Sequence, residues 1–143
     1  MILYNSNSEE ETLKIGEEIG KQIKFPRVIM LYGELGSGKT VFTRGLALGL
    51  AVDDPSQVRS PSFTLVNEYP TNKGLVYHID LYRIEGLRDL HTIDIEEILS
   101  SPSVVIVEWA EKLFLHPKNP LKVSIYTELK TDSRRVEIEH LDN

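Results

Sequence analysis

The segment Gly33-Glu34-Leu35-Gly36-Ser37-Gly38-Lys39-Thr40 joins glycines, an ammonium and a hydroxyl at the spacing of a loop that cradles phosphate. Glycines let backbone N–H groups turn inward toward phosphate oxygens with no Cβ in the way. Lys39 then reaches the β- and γ-phosphates of a nucleoside triphosphate, and the Thr40 hydroxyl is a ligand for Mg²⁺. A helix that starts at the end of the loop aims the positive end of its dipole at the same anion. In a chain of 143 residues a chance match to this pattern is on the order of one in a few hundred. All eight residues of the segment are expected to contact the nucleotide.

Such a site needs a carboxylate near the metal, usually at the end of a neighbouring strand. Two positions qualify: Asp80, after Leu-Val-Tyr-His-Ile, and Glu108, after Val-Val-Ile-Val. Both emerge at the carboxyl edge of the sheet, where ligands bind in open α/β folds. Glu108 is assigned to the Mg²⁺ shell with Thr40. Asp80 is assigned to orienting or deprotonating the attacking water, or to supporting the metal from one layer out. The reverse assignment stays open on these residues alone. Lys39, Asp80 and Glu108 are thus the expected catalytic set.

Trp109 follows Glu108 and could cover the site, although a buried core tryptophan is the commoner role. His78 points to the face opposite Ile79 and reads as a structural polar residue rather than a base. The four histidines have no metal-ligand spacing. Residues 59–64 (Arg-Ser-Pro-Ser-Phe-Thr) lie where many switch proteins sense the γ-phosphate, and Ser60, Ser62 and Thr64 offer hydroxyls there. An ordinary Ser/Pro turn explains them equally well. Arg44, Arg59 and Arg83 carry charge a transition state can use, but spacing places none of them as a finger. Without an arginine at the phosphates, turnover by the chain alone is expected to be slow and partner-dependent.

The elements that must position these groups follow from periodicity. Residues 1–4 read as a short strand. Ser8 and Glu11 fit a capping box ahead of a helix to about Lys24, with an inward stripe of Thr12, Ile15, Gly16, Ile19, Gly20 and Ile23. Two glycines on that stripe allow a close neighbour. Arg27–Tyr32 reads as a buried strand and Lys39–Leu50 as a helix, followed by a polar loop over 53–62. Phe63–Tyr69 and Leu75–Asp80 read as strands joined by a turn over Pro70–Gly74. Short helical signals occupy Leu87–Leu90 and Ile93–Leu99. Ser103–Glu108 reads as a strand buried on both faces. Leu121–Leu129 and Arg134–Leu141 alternate as a terminal hairpin. Together they predict one three-layer α/β domain over 1–143, with a mostly parallel mixed sheet and an antiparallel C-terminal edge.

The totals are consistent with that domain. The formal charge of −6 disfavours tight nucleic-acid binding by the chain alone, so a partner is expected to hold any polymer. The absence of cysteine excludes disulfides and thiolate chemistry. No apolar run approaches the ~20 residues of a membrane span, and the start lacks a secretory pattern. A cytoplasmic location is expected.

Beyond the phosphate loop, three further pieces occur in order: Ser60-Pro-Ser-Phe-Thr64, His78-Ile-Asp-Leu-Tyr-Arg83 and Glu108-Trp-Ala-Glu111. With Glu-Glu-Thr12 and Val-Phe-Thr-Arg-Gly45, the chain resembles the TsaE (formerly YjeE) family of bacterial P-loop ATPases. The resemblance runs through nearly the whole chain. It implies ATP as nucleotide, Mg²⁺ held through Thr40 and Glu108, and Asp80 needed for hydrolysis. It further implies that Thr12 lies near adenine or ribose and that Arg134 approaches the nucleotide. The family's role in tRNA threonylcarbamoyladenosine biosynthesis implies TsaB and TsaD as partners, acting at adenosine 37, with tRNA met only through them. Ser62 stands where the family commonly has Thr, and Ala110 where it commonly has Pro; neither removes an expected ligand.

Two alternatives compete. A small-molecule kinase needs an acceptor pocket and often an arginine-bearing lid, whereas residues 84–102 are short and carry only Arg88. A non-hydrolysing, nucleotide-dependent assembly switch would retain partner binding after loss of Asp80. A GTPase is disfavoured because Asn72-Lys73-Gly74 lacks the following Asp of a guanine signature.

Overall fold

Two apolar runs, Arg27–Gly33 (β2) and Val104–Glu108 (β5), lie side by side and parallel in a computed structural model of the chain. The structure describes residues 1–34, 36–59, 61, 66–83, 94–128 and 130–139. The expectations for Leu35, Ser60, Ser62, Thr64, Leu87–Leu90, Arg88 and Leu141 therefore fall outside the described residues.

Around β2 and β5 the sheet is completed by β1 (Ile2–Ser6), β3 (Val66–Thr71), β4 (Gly74–Asp80), β6 (Leu121–Thr127) and β7 (Arg134–Glu139). Among the described residues its order is β1-β7-β6-β2-β5-β4-β3. The central strands β6, β2, β5 and β4 run parallel, while β7 joins β6 and β3 joins β4 antiparallel. Antiparallel pairing therefore closes both sides, and the outermost strand beyond the C-terminal hairpin is the N-terminal β1. All five residues of β5 are buried, which is the condition a central parallel strand meets with an unbroken apolar run.

Helices α1 (Glu9–Gln22) and α2 (Lys39–Gly49) cover one face of the sheet, where Ile19, Ile23, Phe42 and Leu46 meet Ile29, Leu31, Val76 and Ile106. The short α3 (Ile95–Ser100) covers the other, where Ile95 meets Val28, Met30, Ile79, Val105 and Val107. Alternate residues of β2, β4 and β5 divide between these clusters, as the period of two in a strand requires.

The contact between α1 and α2 is made by glycines. A Cβ on Gly16 would come within 2.5 Å of the Phe42 carbonyl oxygen, and one on Gly20 within 2.5 Å of that of Leu46. A Cβ on Gly45 would fall onto the carbonyl of Leu13. The two backbones touch directly, which holds the start of α2 against α1. Ser8 caps α1 by accepting from the Glu11 amide at 3.1 Å, while Glu11 reaches back to the Asn7 amide at 2.6 Å, one residue further than a standard box.

The β3–β4 connection is tighter than the sequence reading. Pro70 and Thr71 are paired in β3, leaving Asn72 and Lys73 as the turn. An edge strand tolerates proline because its missing N–H need not face a neighbour. The Thr71 hydroxyl accepts from the Lys73 and Gly74 amides and so closes the turn.

Candidate functional site

The carboxyl ends of β2, β4 and β5 converge on the start of α2, and every expected acid and cation of the site lies there. Gly33, Gly36 and Gly38 all adopt positive φ (155°, 79° and 109°), a conformation that disfavours any other residue. Nothing lies within 4 Å of where a Gly36 Cβ would be, so the loop is open on that side. Gly38 caps α2 without a side-chain hydrogen bond, since glycine has none to offer, and the positive end of the helix dipole faces the loop. The Ser37 hydroxyl is buried among the described residues without a partner.

Lys39 is buried at 5% exposure and folds back onto the loop. Its Nζ donates to the carbonyls of Gly33 (2.5 Å) and Glu34 (2.8 Å) and sits 4.2 Å from the centre of the Trp109 ring. Burial lowers its pKa below the usual lysine range, against the opposing pull of Glu108, Glu111, Asp80 and Glu34. Trp109 is partly buried against the cluster under α3 and also covers Lys39. It takes a left-handed backbone (φ 58°, ψ 46°) that turns its half-buried ring over Lys39, and Tyr82 packs on it at 5.0 Å between ring centres.

Strand register delivers the acids. In the β4–β5 pairing Asp80 stands opposite Glu108, and alternation turns both toward α2. The Thr40 hydroxyl donates to Glu108 Oε1 at 3.4 Å. Asp80 is half-buried and accepts from the Tyr82 amide at 2.9 Å. Burial raises the pKa of Asp80; that amide bond opposes the rise, nearby Glu108 adds to it, and His78 and Lys39 oppose it.

Sequence reasoning missed the partner of Glu108. His78 is fully buried and its Nε2 lies 2.5 Å from Glu108 Oε2. The available signal was alternation: a polar residue two positions before a site acid in a buried strand shares that acid's face.

Of the more loosely expected residues, Thr12 is buried and bonded to Ser6 Oγ at 2.6 Å. It lines a cavity of about 180 Å³ beside the loop, together with Ser8, Gly36, Gly38, Val41 and Arg134. The Arg134 guanidinium reaches the backbone of the loop, donating from Nε to the Ser37 carbonyl (3.0 Å) and from Nη2 to that of Gly36 (3.4 Å). Arg44, Arg59 and Arg83 are exposed. A second cavity of about 370 Å³ lies beside Gly33, Glu34, Trp109 and Glu111. Among the described residues no three His, Cys, Asp or Glu side chains cluster as a metal cage, and no helix is long and apolar enough to cross a membrane.

Comparison with known proteins gives this geometry a context. Residues 6–136 match the family described as "Threonylcarbamoyl adenosine biosynthesis protein TsaE". A relative named tRNA threonylcarbamoyladenosine biosynthesis protein TsaE, from Aquifex aeolicus, is 42% identical over 128 residues, covering 90% of this chain and 87% of its own. One of the same name from Nostoc is 36% identical over 136 residues, covering 91% and 80%. The crystal structure of Bacillus subtilis YdiB superposes with a TM-score of 0.71 at 29% identity, over 99% of this chain and 86% of that one. The chain belongs to the TsaE family.

Proposed function

We propose that the chain binds Mg²⁺–ATP at the Gly33–Thr40 loop and hydrolyses it, in support of tRNA threonylcarbamoyladenosine biosynthesis with TsaB and TsaD. The observation that carries this reading is the convergence of Lys39, Thr40, Glu108 and Asp80 at one sheet edge beside the start of α2. The residues fit the ligands. Three positive-φ glycines and the start of a helix suit a polyphosphate. A threonine hydroxyl and a carboxylate are the hard oxygen donors Mg²⁺ takes when it keeps several waters and shares phosphate oxygens. The metal, when bound, neutralises charge on the phosphates.

The chain's own groups do the rest. Lys39 leaves the Gly33 and Glu34 carbonyls and turns its ammonium to the triphosphate; burial strengthens that attraction. The Trp109 ring keeps water from the same space. Asp80, whose raised pKa makes it a better proton acceptor than an exposed carboxylate, orients the attacking water and takes its proton. Thr12 and Arg134 border the 180 Å³ cavity, which suits the nucleoside end. The net charge of −6 favours contact with tRNA only through partners. The test is phosphate release from Mg²⁺–ATP by the chain alone and with TsaB and TsaD added. Slow release that rises with the partners supports the proposal. ATP binding with no release under either condition favours the assembly switch.

A further inference from the structure

Glu108 is buried at 2% exposure, and its two oxygens have different partners: Thr40 on Oε1 and His78 on Oε2. An ionised carboxylate only accepts, so the His78 nitrogen that faces it, Nε2, carries the hydrogen. The ring's other nitrogen, Nδ1, lies 3.4 Å from the Tyr69 hydroxyl. The Asn67 amide donates to the Tyr69 oxygen at 3.2 Å and to the Arg59 carbonyl at 3.1 Å. Asn67 donates to Tyr69 and His78 donates to Glu108, while the single Tyr69 hydroxyl hydrogen has two acceptors at 3.4 Å, His78 Nδ1 and the Arg59 carbonyl. The row crosses three strands because β3, β4 and β5 pair in register, with Asn67 opposite His78 and His78 opposite Ile106.

We infer that His78 is a positioning residue for Glu108: it anchors Oε2 so that Oε1 stays turned to Thr40, and Tyr69 supports the imidazole ring from its other side. The inference rests on the proposal above that Thr40 and Glu108 hold Mg²⁺. Groups that orient a metal-binding side chain commonly change metal affinity by about 10- to 100-fold when removed. Because Asn67 also holds the Arg59 carbonyl, the orientation of Glu108 is tied to the backbone that leads from α2 toward β3.

The test is the ratio of affinities for a non-hydrolysable ATP analogue in Mg²⁺ and in EDTA, read by calorimetry on the full chain. His78→Gln places an amide N–H near the Nε2 position, whereas His78→Asn places one near Nδ1 and leaves Glu108 without its donor. The ratio is expected to fall by about 10- to 100-fold in His78→Asn and to stay near wild type in His78→Gln. In Tyr69→Phe, which leaves Glu108 and His78 in place but removes the contact at Nδ1, the ratio is expected to fall, by less than in His78→Asn. Thermal unfolding identifies any variant that has lost the fold, in which case Tyr69→Phe decides. A wild-type ratio in His78→Asn, or an unchanged ratio in Tyr69→Phe, overturns the inference. Glu108→Gln separates the two levels: an unchanged ratio there overturns the Mg²⁺ assignment itself.

Discussion

The two faces of the central sheet use the same strands for different purposes. Toward α3, β2, β4 and β5 present Val28, Met30, Ile79, Val105 and Val107, an apolar layer with no chemistry in it. Toward α1 and α2, the same strands present Ile29, Leu31, Val76 and Ile106 together with His78, and Asp80 and Glu108 at the carboxyl ends of β4 and β5. Burying a carboxylate is costly unless it is hydrogen-bonded, and here Glu108 is bonded from both sides. The α3 face therefore anchors strands whose opposite face carries strained or charged groups. Adjacent residues such as Ile79 and Asp80 belong to different tasks.

That division can be broken experimentally. Lys39→Ala should have the largest effect, removing about 2–5 kcal/mol of nucleotide affinity, the range for truncating one partner of a close charge pair. Titration with a fluorescent ATP analogue measures it, and affinity within threefold of wild type would contradict the site. Gly45→Ala should come next. The added methyl improves helix propensity but strikes the backbone of α1, which cannot step aside as a side chain would. A loss of about 1–3 kcal/mol in chemical denaturation is expected; a gain would mean that the helices separate at no cost. Ile79→Val, on the α3 face, should cost about 0.5–1.5 kcal/mol of stability while sparing nucleotide affinity. A loss of affinity without loss of stability would show that the faces are not independent.

The smallest effect concerns pH. Burial raises the pKa of Asp80, so the folded state holds this proton more tightly than the unfolded chain does. Stability contributed this way is present at low pH. It is lost as pH climbs from the ordinary value of 3.8 through the raised one. Asp80→Asn should remove that slope, so its unfolding temperature gains on wild type as pH rises across the window. A constant gap between the two curves would argue that Asp80 is not penalised by burial.

Much of this arrangement is legible in the sequence because it is local. The phosphate loop, the strand before it and the helix after it form one continuous segment, and their residues carry the required conformations themselves. The terminal hairpin and the buried run of β5 are likewise readable from alternation and apolar continuity. Pro70 misleads because a turn residue and an edge-strand residue look alike until the edge is known. The 30 residues between His78 and Glu108 hide their bond, since it depends on the register of β4 against β5. Long-range contacts also decide where Lys39 and Arg134 point: the lysine turns onto its own loop under Trp109, and the arginine crosses from β7 to the loop carbonyls. The alternation that placed His78 opposite Ile79 was sufficient to put it on the face of the site; what it lacked was the neighbouring strand.

The most direct test of the proposed hydrolysis is single-turnover phosphate release from saturating Mg²⁺–ATP by wild type and Asp80→Asn, with bound nucleotide measured in the same samples. The account predicts equal occupancy, with release by the wild type and only background release by the variant. Release at the wild-type rate from Asp80→Asn, or none from fully loaded wild type, would contradict it.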